Sequence, residues 1–270
     1  MKKEICFNIA LRESIYERRM LKITAQTCSK NKKQANLLFF LDIGYKNCYT
    51  EKNKILRGII MKRLPFVVKF KSGKKQEAID TLRNSWNDVK NILTSVGADN
   101  FSAWAIEDFM LCYGEYPDNV SISGEKKAQL EKLLSPYMEL FAAPGTLPLM
   151  YHDIGIVRKD KSLIRHRVFS TKLKDGCAEE YKRRHDALIE ARGDKVTEGP
   201  ESNFTIWNAN GYIFGYCELV KSYDHDMTEE EKKSTIAWEI RQLEIMDWLT
   251  DDVDWITGQK HDKIELVVQQ

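Results

Sequence analysis

The chain contains FVVKFKSG at residues 66–73 and, at an offset of 103 residues, FSTKLKDG at residues 169–176. The same offset relates NFSAW at residues 100–104 to NFTIW at residues 203–207, and no gap is needed between the two matches. Copies of about a hundred residues are too long for a solenoid repeat and suit one small domain each. The sequence therefore predicts two similar domains in one chain.

Each copy has the pattern of a strand, a helix, two strands, a second helix and a last strand. In the second copy, Arg167–Leu173 is a β-branched and aromatic run, and Cys177–Arg192 has helical spacing with acidic residues in its first turn. Asn210-Gly211 indicates a tight hairpin between the two middle strands. Ile264–Val268 is expected to close this copy as its last strand.

The second helix of the second copy is predicted from about Thr228 to Thr250. Its apolar positions recur at helical spacing and should face the core; they are Ile236, Ile240, Leu243, Met246 and Leu249. In the first copy the two helices are predicted at Gln76–Val96 and Glu125–Phe141.

A βαββαβ unit is the ferredoxin-like fold, in which helices cover one face of an antiparallel sheet. The other face must also be buried, and two such sheets packed together would bury it. The sequence thus predicts an α+β protein with tandem ferredoxin-like repeats that form a dimeric-type α/β-barrel within one chain. The expected boundaries are 65–158 for the first repeat, 159–165 for a linker and 166–270 for the second repeat.

The net charge of +2 conceals an asymmetry between the N-terminal segment and the rest. Residues 1–64 hold 15 Lys and Arg against 5 Asp and Glu, so the remaining 206 residues carry a net charge of about −8. An acidic body argues against nucleic acid as a partner, because phosphate binding needs clustered cations.

Residues 1–60 belong to neither repeat. A basic tail that contacts a partner and a transit peptide are two possible interpretations of this segment. The interpretation that we favour is upstream translation that is not part of the native protein, since Met61 stands where a start codon would precede the first strand.

The six cysteines show no CxxC or metal-type spacing, which is typical of reduced thiols and predicts a cytoplasmic protein. No apolar run approaches the ~20 residues that a membrane span requires, and no secretory signal is recognisable. Asp224, His225 and Asp226 adjoin in one stretch without a second cluster, so no metal site is expected. His152 and His261 each precede an aspartate and have a structural interpretation, as does His166.

The two copies differ at positions that could carry chemistry. Ala78 and Leu82 of the first copy correspond to Tyr181 and His185 of the second. Residues four apart share a helix face, and a tyrosine beside an imidazole can move protons at neutral pH. The alternative is a solvated helix surface, because charged residues surround the pair. The sequence predicts one working site, in the second copy.

The string EEYKRRH at residues 179–185 closely resembles the EEYxRRH helix of the L-rhamnose mutarotase family. The strand at residues 203–207 and the stretch at residues 248–251 are similar to that family too. The resemblance covers most of residues 166–270 and implies a ferredoxin-like fold that works as a dimer of such units. It also implies cofactor-free interconversion of the anomers of a 6-deoxy sugar, an isomerase activity in carbohydrate metabolism.

By this resemblance His185 would be the proton donor and Tyr181 would contact the sugar. Phe204 stands where the family has a sugar-contacting tyrosine, and Ile245-Met246 stand in place of tandem tryptophans, with Trp248 two residues on. We therefore expect a monosaccharide site with His185 as its catalytic residue and, as substrate-binding residues, Tyr181, Phe204, Trp207, Met246 and Trp248.

Three alternatives stay open from the sequence. One is a non-catalytic protein that binds a sugar or another small molecule, and one is a structural barrel without a ligand. The third is a cofactor-free monooxygenase-type barrel, since one fold can host many functions. The feature that distinguishes these alternatives is whether Tyr181 and His185 point into a cavity or into solvent.

Overall fold

The computed structural model describes residues 61–117, 123–222, 228–249 and 264–270. Within these ranges the chain is α+β, with two antiparallel sheets and five α-helices. The predictions made for residues 1–60, for the Asp224-His225-Asp226 stretch and for His261 lie outside the described residues. No helix in the described ranges is long and apolar enough to cross a membrane.

The elements before residue 156 follow one another in this order: β1 (Met61–Arg63), β2 (Phe66–Phe70), α1 (Lys75–Asn84), α2 (Trp86–Ser95), β3 (Asp99–Ile106), β4 (Phe109–Pro117), α3 (Gly124–Leu134), β5 (Met138–Ala142) and β6 (Leu149–Gly155). The later elements are a 3-10 turn (Lys161–Leu163), β7 (Ile164–Leu173), α4 (Ala178–Arg192), β8 (Glu201–Ala209), β9 (Tyr212–Val220), α5 (Glu229–Gln242), β10 (Met246–Trp248) and β11 (Ile264–Gln269).

The strand order is the same in both sheets. The first sheet runs β11-β3-β4-β2-β5, with β1 paired to the far end of β4, and the second runs β10-β7-β9-β8-β6. In each sheet, the four strands that come from one half of the chain are ordered fourth, first, third, second along that half. This order is β5-β2-β4-β3 in the first sheet and β10-β7-β9-β8 in the second. The fifth strand comes from the other half: β11 pairs with β3, and β6 pairs with β8.

This exchange corrects the predicted last strand of the second copy. Ile264–Val268 does form a strand, but Ile264 pairs with Ile106 and Leu266 with Trp104, in the first sheet. The place beside β7 is taken by the three-residue strand β10. This strand was not predicted, because Met246–Trp248 lies within the segment whose apolar spacing indicated a helix.

The predicted helices were also too long. Helix α5 ends at Gln242 and not near Thr250, and α3 ends at Leu134 and not at Phe141, because a short strand follows each of them. The segment Gln76–Val96 forms two helices that meet at Ser85. Short apolar runs cannot be assigned to helix or strand from their periodicity alone, which explains these errors.

Three apolar clusters divide the interior into layers. The first packs α1, α2 and α3 on one face of the first sheet, around residues such as Val68 and Ile79. The second joins the facing sides of both sheets and includes Leu111 and Phe214. The third lies between the second sheet and α4, and it contains Phe169. Each sheet is therefore covered on both faces.

A polar network is buried within the layer between the sheets. We call it the inter-sheet network, and its members are Asn100, Tyr113, Glu115, Asn203, Tyr216 and Glu218. Asn100 donates to Glu218 Oε1 at 2.7 Å, and Asn203 donates to the Tyr113 hydroxyl at 2.7 Å. The Tyr113 and Tyr216 rings stack with centroids 3.7 Å apart. Each asparagine therefore bonds to side chains of the opposite sheet.

Candidate active site

Helix α4 turns Tyr181 and His185 towards the second sheet. The residues retain only 3% and 5% of their accessible surface, so the interpretation as a solvated helix surface does not apply. Their rings stack with centroids 4.2 Å apart. His185 Nδ1 lies 2.9 Å from the Tyr181 carbonyl oxygen, which can only accept a hydrogen bond. In the neutral imidazole, Nδ1 therefore carries the proton and Nε2 keeps a free lone pair.

Aromatic rings from two further elements surround this imidazole. Tyr151 of β6 meets His185 edge-on with centroids 5.4 Å apart, and Trp238 of α5 does so at 5.5 Å. Tyr151 also contacts Phe204 of β8, with centroids 5.4 Å apart. Tyr151 and Trp238 were not predicted as site residues, because no local signal indicates that β6 pairs with β8 or that α5 packs beside α4.

Burial determines the charge of the histidine. It lowers the pKa of His185 to about 4, and the hydrogen bond to the Tyr181 carbonyl opposes this effect only in part. The imidazole is therefore neutral at pH 7 and can act as a base. Burial and, second, the charge of nearby Glu239 raise the pKa of Tyr181 well above its ordinary value, so its hydroxyl stays protonated.

Helix α5 presents the opposite face from the one predicted. Ile236, Ile240 and Leu243 are 42%, 63% and 39% exposed, whereas Glu239 and Gln242 are 7% and 2% exposed. Glu239 Oε2 and both amide atoms of Gln242 have no hydrogen-bond partner among the described residues. Burial raises the pKa of Glu239 to about 7. A carboxyl group that exchanges its proton near neutrality thus lies close to Tyr181.

An arginine of α4 holds α5 in this orientation. Arg184 is 7% exposed and donates to Glu180 of its own helix at 2.7 Å and to Glu244 at 2.9 Å. It also donates to the backbone carbonyl of Arg241, in the last turn of α5. The bonds to Glu244 and to the Arg241 carbonyl join residues distant in the chain, which is why helical periodicity could not predict the buried face.

The remaining predicted site residues do not all lie together. Met246 belongs to the apolar cluster that contains Tyr181, and Phe204 and Trp248 pack against that cluster. Trp207 lies in the layer between the sheets, with its ring 6.1 Å from that of Tyr113. Successive strand residues point to opposite faces, so Trp207 is separated from the others by the sheet itself.

The equivalent region of the first half is apolar. A cavity of about 50 Å³ lies between α1, α2, α3 and the first sheet, and its lining includes Leu82, Val68 and Phe101. At the offset of 103, these residues correspond to His185, Thr171 and Phe204. The titratable pair of the second half thus has no counterpart there. Within the described residues, no group of three or more His, Cys, Asp and Glu side chains is arranged to hold a metal ion.

Comparisons with known proteins give one family match and one structural likeness. The crystal structure of a protein from Fusobacterium nucleatum, described as a "Putative monooxygenase", is similar over 70% of this chain and 93% of that chain, with 11% sequence identity and a TM-score of 0.37. That TM-score is too low to assign a fold or a function. No curated protein matches the chain. Residues 166–267, the half that contains Tyr181 and His185, match the family model of L-rhamnose mutarotase.

Proposed function

We propose that this chain interconverts the anomers of a monosaccharide by general acid–base catalysis, in the manner of an L-rhamnose mutarotase. The observation that carries the proposal is the buried Tyr181–His185 pair, which lies within the residues that match this family. The substrate would be a small sugar, and the reaction needs neither a metal nor a nucleotide. We place the protein in the cytoplasm, with neither nucleic acid nor a membrane as a partner.

The proposed fold consists of tandem ferredoxin-like repeats, at residues 65–158 and 166–270, that pair within one chain as a dimeric-type α/β-barrel. The order fourth, first, third, second in both sheets supports this description, as does the apolar layer with members from both sheets. One repeat would carry the site, and the other would complete the barrel. Tyr151 supports a contribution of the first repeat to the site, since β6 precedes the second repeat and its Tyr151 ring lies beside His185.

The reaction requires two proton transfers. A base takes the proton of the anomeric hydroxyl, an acid protonates the ring oxygen, and the bond between C1 and the ring oxygen breaks. The aldehyde then rotates and closes again. The family resemblance implies a proton donor at His185, but a neutral imidazole is suited instead to take the first proton through Nε2 and to return it on ring closure. Tyr181 would position the imidazole and contact the sugar, while Phe204, Met246 and Trp248 would form the apolar wall.

Exchange NMR of L-rhamnose and L-fucose anomers tests this function. We expect the wild-type protein to accelerate anomer exchange and His185→Ala to lose about 10²–10⁴-fold of that acceleration. His152→Ala is the matched control, because residue 152 follows Tyr151 on β6 and therefore points to the opposite face. Equal rates for wild type and His185→Ala would refute the role of the histidine.

The same experiment distinguishes the non-catalytic alternative. Saturation transfer from the protein to the sugar, without faster exchange, would indicate a binding protein in which Phe204 and Ile245-Met246 have ended catalysis. Neither binding nor exchange with either sugar would favour a structural barrel.

A further inference from the structure

Helix α5 buries two polar residues and exposes two large apolar ones. Glu239 and Gln242 face inward, whereas Ile236 and Ile240 face solvent. Burying an unpaired carboxyl or amide is unfavourable, and so is exposing large aliphatic side chains. A different rotation of the helix would relieve both costs, but Arg184 holds it in place. This orientation therefore indicates that the inward polar groups serve a ligand.

A third polar group without a partner in the described part of the chain lies on the same side of the second sheet as Tyr181. Thr171 is on the strand face that carries Phe169 and Leu173, both in the cluster that contains Tyr181, and its hydroxyl also lacks a partner among the described residues. Glu239 is adjacent to Trp238, whose ring contacts His185. The hydroxyl, the carboxyl group and the Gln242 amide are each at least 93% buried.

We propose that Glu239 is the second proton-transfer group of this site and that Gln242 binds sugar hydroxyls, so that the site selects a neutral polyhydroxylated ring. This inference rests on the proposed function and names the acid that the reaction requires in addition to His185. Neither residue belongs to the set that the family resemblance implies.

The proposed step is balanced in protons and electrons. The protonated carboxyl of Glu239 gives its proton to the ring oxygen while His185 Nε2 takes the proton of the anomeric hydroxyl. The bonding pair between C1 and the ring oxygen stays on that oxygen, and C1 forms a carbonyl bond. Glu239 is then a carboxylate and His185 an imidazolium, and ring closure returns both protons. A carboxyl pKa of about 7 allows either protonation state at working pH.

The same groups determine which ligands are excluded. An amide offers two donor hydrogens and an acceptor oxygen, which matches hydroxyl groups because they both donate and accept. Above pH 7 the Glu239 carboxylate repels anions, so uronates and sugar phosphates should bind poorly there. Rings such as Tyr151 and Trp238 can pack against the C–H surface of a sugar. A neutral sugar fits all three features.

The test compares Glu239→Gln, Gln242→Leu and the control Glu230→Gln, which removes an exposed carboxyl from the same helix. The probes are L-rhamnose and L-fucose, with D-galacturonate as the anionic comparison. We expect Glu239→Gln to bind the neutral sugars by saturation-transfer NMR but to exchange their anomers about 10²–10⁴-fold more slowly. The wild-type exchange rate should depend on pH near 7, and Glu239→Gln should lose that dependence. Glu230→Gln should match the wild type throughout.

Gln242→Leu should weaken binding of the neutral sugars by roughly tenfold, the effect of one lost hydrogen bond in a buried site. If Glu239→Gln exchanges anomers as fast as wild type while His185→Ala is inactive, the proposed function stands and the role of Glu239 is overturned. If the wild type accelerates no exchange, both fail. Tighter binding of D-galacturonate than of L-rhamnose would overturn the proposed selectivity. Urea unfolding of each variant confirms that the differences do not come from lost folding.

Discussion

Replacing Asn203 by alanine should reveal how strongly the inter-sheet network stabilises the fold. The Asn203 side chain is fully buried and donates to the Tyr113 hydroxyl at 2.7 Å, to Glu218 at 3.1 Å and to Glu115 at 3.2 Å. Its φ of 54° is a left-handed conformation that asparagine adopts more readily than alanine. The variant therefore loses buried hydrogen bonds and also strains its backbone.

The two effects can be separated by magnitude. Alanine in the left-handed region costs about 1 kcal/mol more than asparagine. The bond to a neutral hydroxyl contributes about 1 kcal/mol, and the bonds to carboxylates about 2 kcal/mol together, since they compete with each other for two amide hydrogens. Asn203→Ala should thus lower the free energy of unfolding by about 4 kcal/mol.

Asn210→Ala is the matched control, because Asn210 is exposed and has the same φ of 54°. It should cost about 1 kcal/mol, mostly from the backbone. The assay is urea unfolding followed by tryptophan fluorescence, with the free energy extrapolated linearly to water. If the two variants lose the same stability, the buried hydrogen bonds contribute nothing and the reasoning is refuted.

Three further predictions concern titration and packing. Burial lowers the pKa of both His166 and His185 to about 4, against about 6.5 in the unfolded chain. Their contribution to the free energy of unfolding is therefore complete above pH 6.5. Stability should fall by about 3 kcal/mol for each histidine as the pH drops towards 4, and urea unfolding from pH 4 to 7 measures this. Glu239 has the opposite sign, because its folded pKa of about 7 exceeds its ordinary value of 4.5. Ionising this buried carboxyl is unfavourable, so it lowers the free energy of unfolding as the pH rises from 4.5 to 7. The free energy of unfolding of Glu239→Gln should therefore rise more steeply with pH over that range than that of the wild type. An unchanged slope would contradict this. Gly215→Ala would place a methyl group 1.9 Å from a ring carbon of Phe169, so a loss of about 1–3 kcal/mol is expected, and unchanged thermal unfolding would count against this packing.

The α+β class and the two antiparallel sheets were predictable because strand and turn signals are local. Asn210-Gly211 forms the predicted hairpin between β8 and β9, with φ values of 54° and 90°. The short strands β5 and β10 were missed because three to five residues carry too little periodicity to end a helical pattern. The pairing of β11 with the first sheet depends on contacts across more than 150 residues, which no local signal encodes.

The candidate site was predictable in part. Tyr181 and His185 share a helix face by spacing alone, and the substitution of Ala78 and Leu82 in the other copy indicated which half carries them. Tyr151 could not be assigned, because it lies beside His185 only when β6 pairs with β8.

The sequence by itself determined the α+β class, the hairpin at Asn210-Gly211 and the helix that carries the titratable pair. Tertiary structure decided which face of α5 is buried. Periodicity groups Ile236 with Ile240, and Glu239 with Gln242, but either group can face inward. The choice depends on what lies opposite, and here Arg184 of α4 binds the end of α5 while Glu239 and Gln242 of α5 face inward. Spacing along the chain determines which side chains share a helix face, whereas contacts with residues distant in the sequence determine which face is buried.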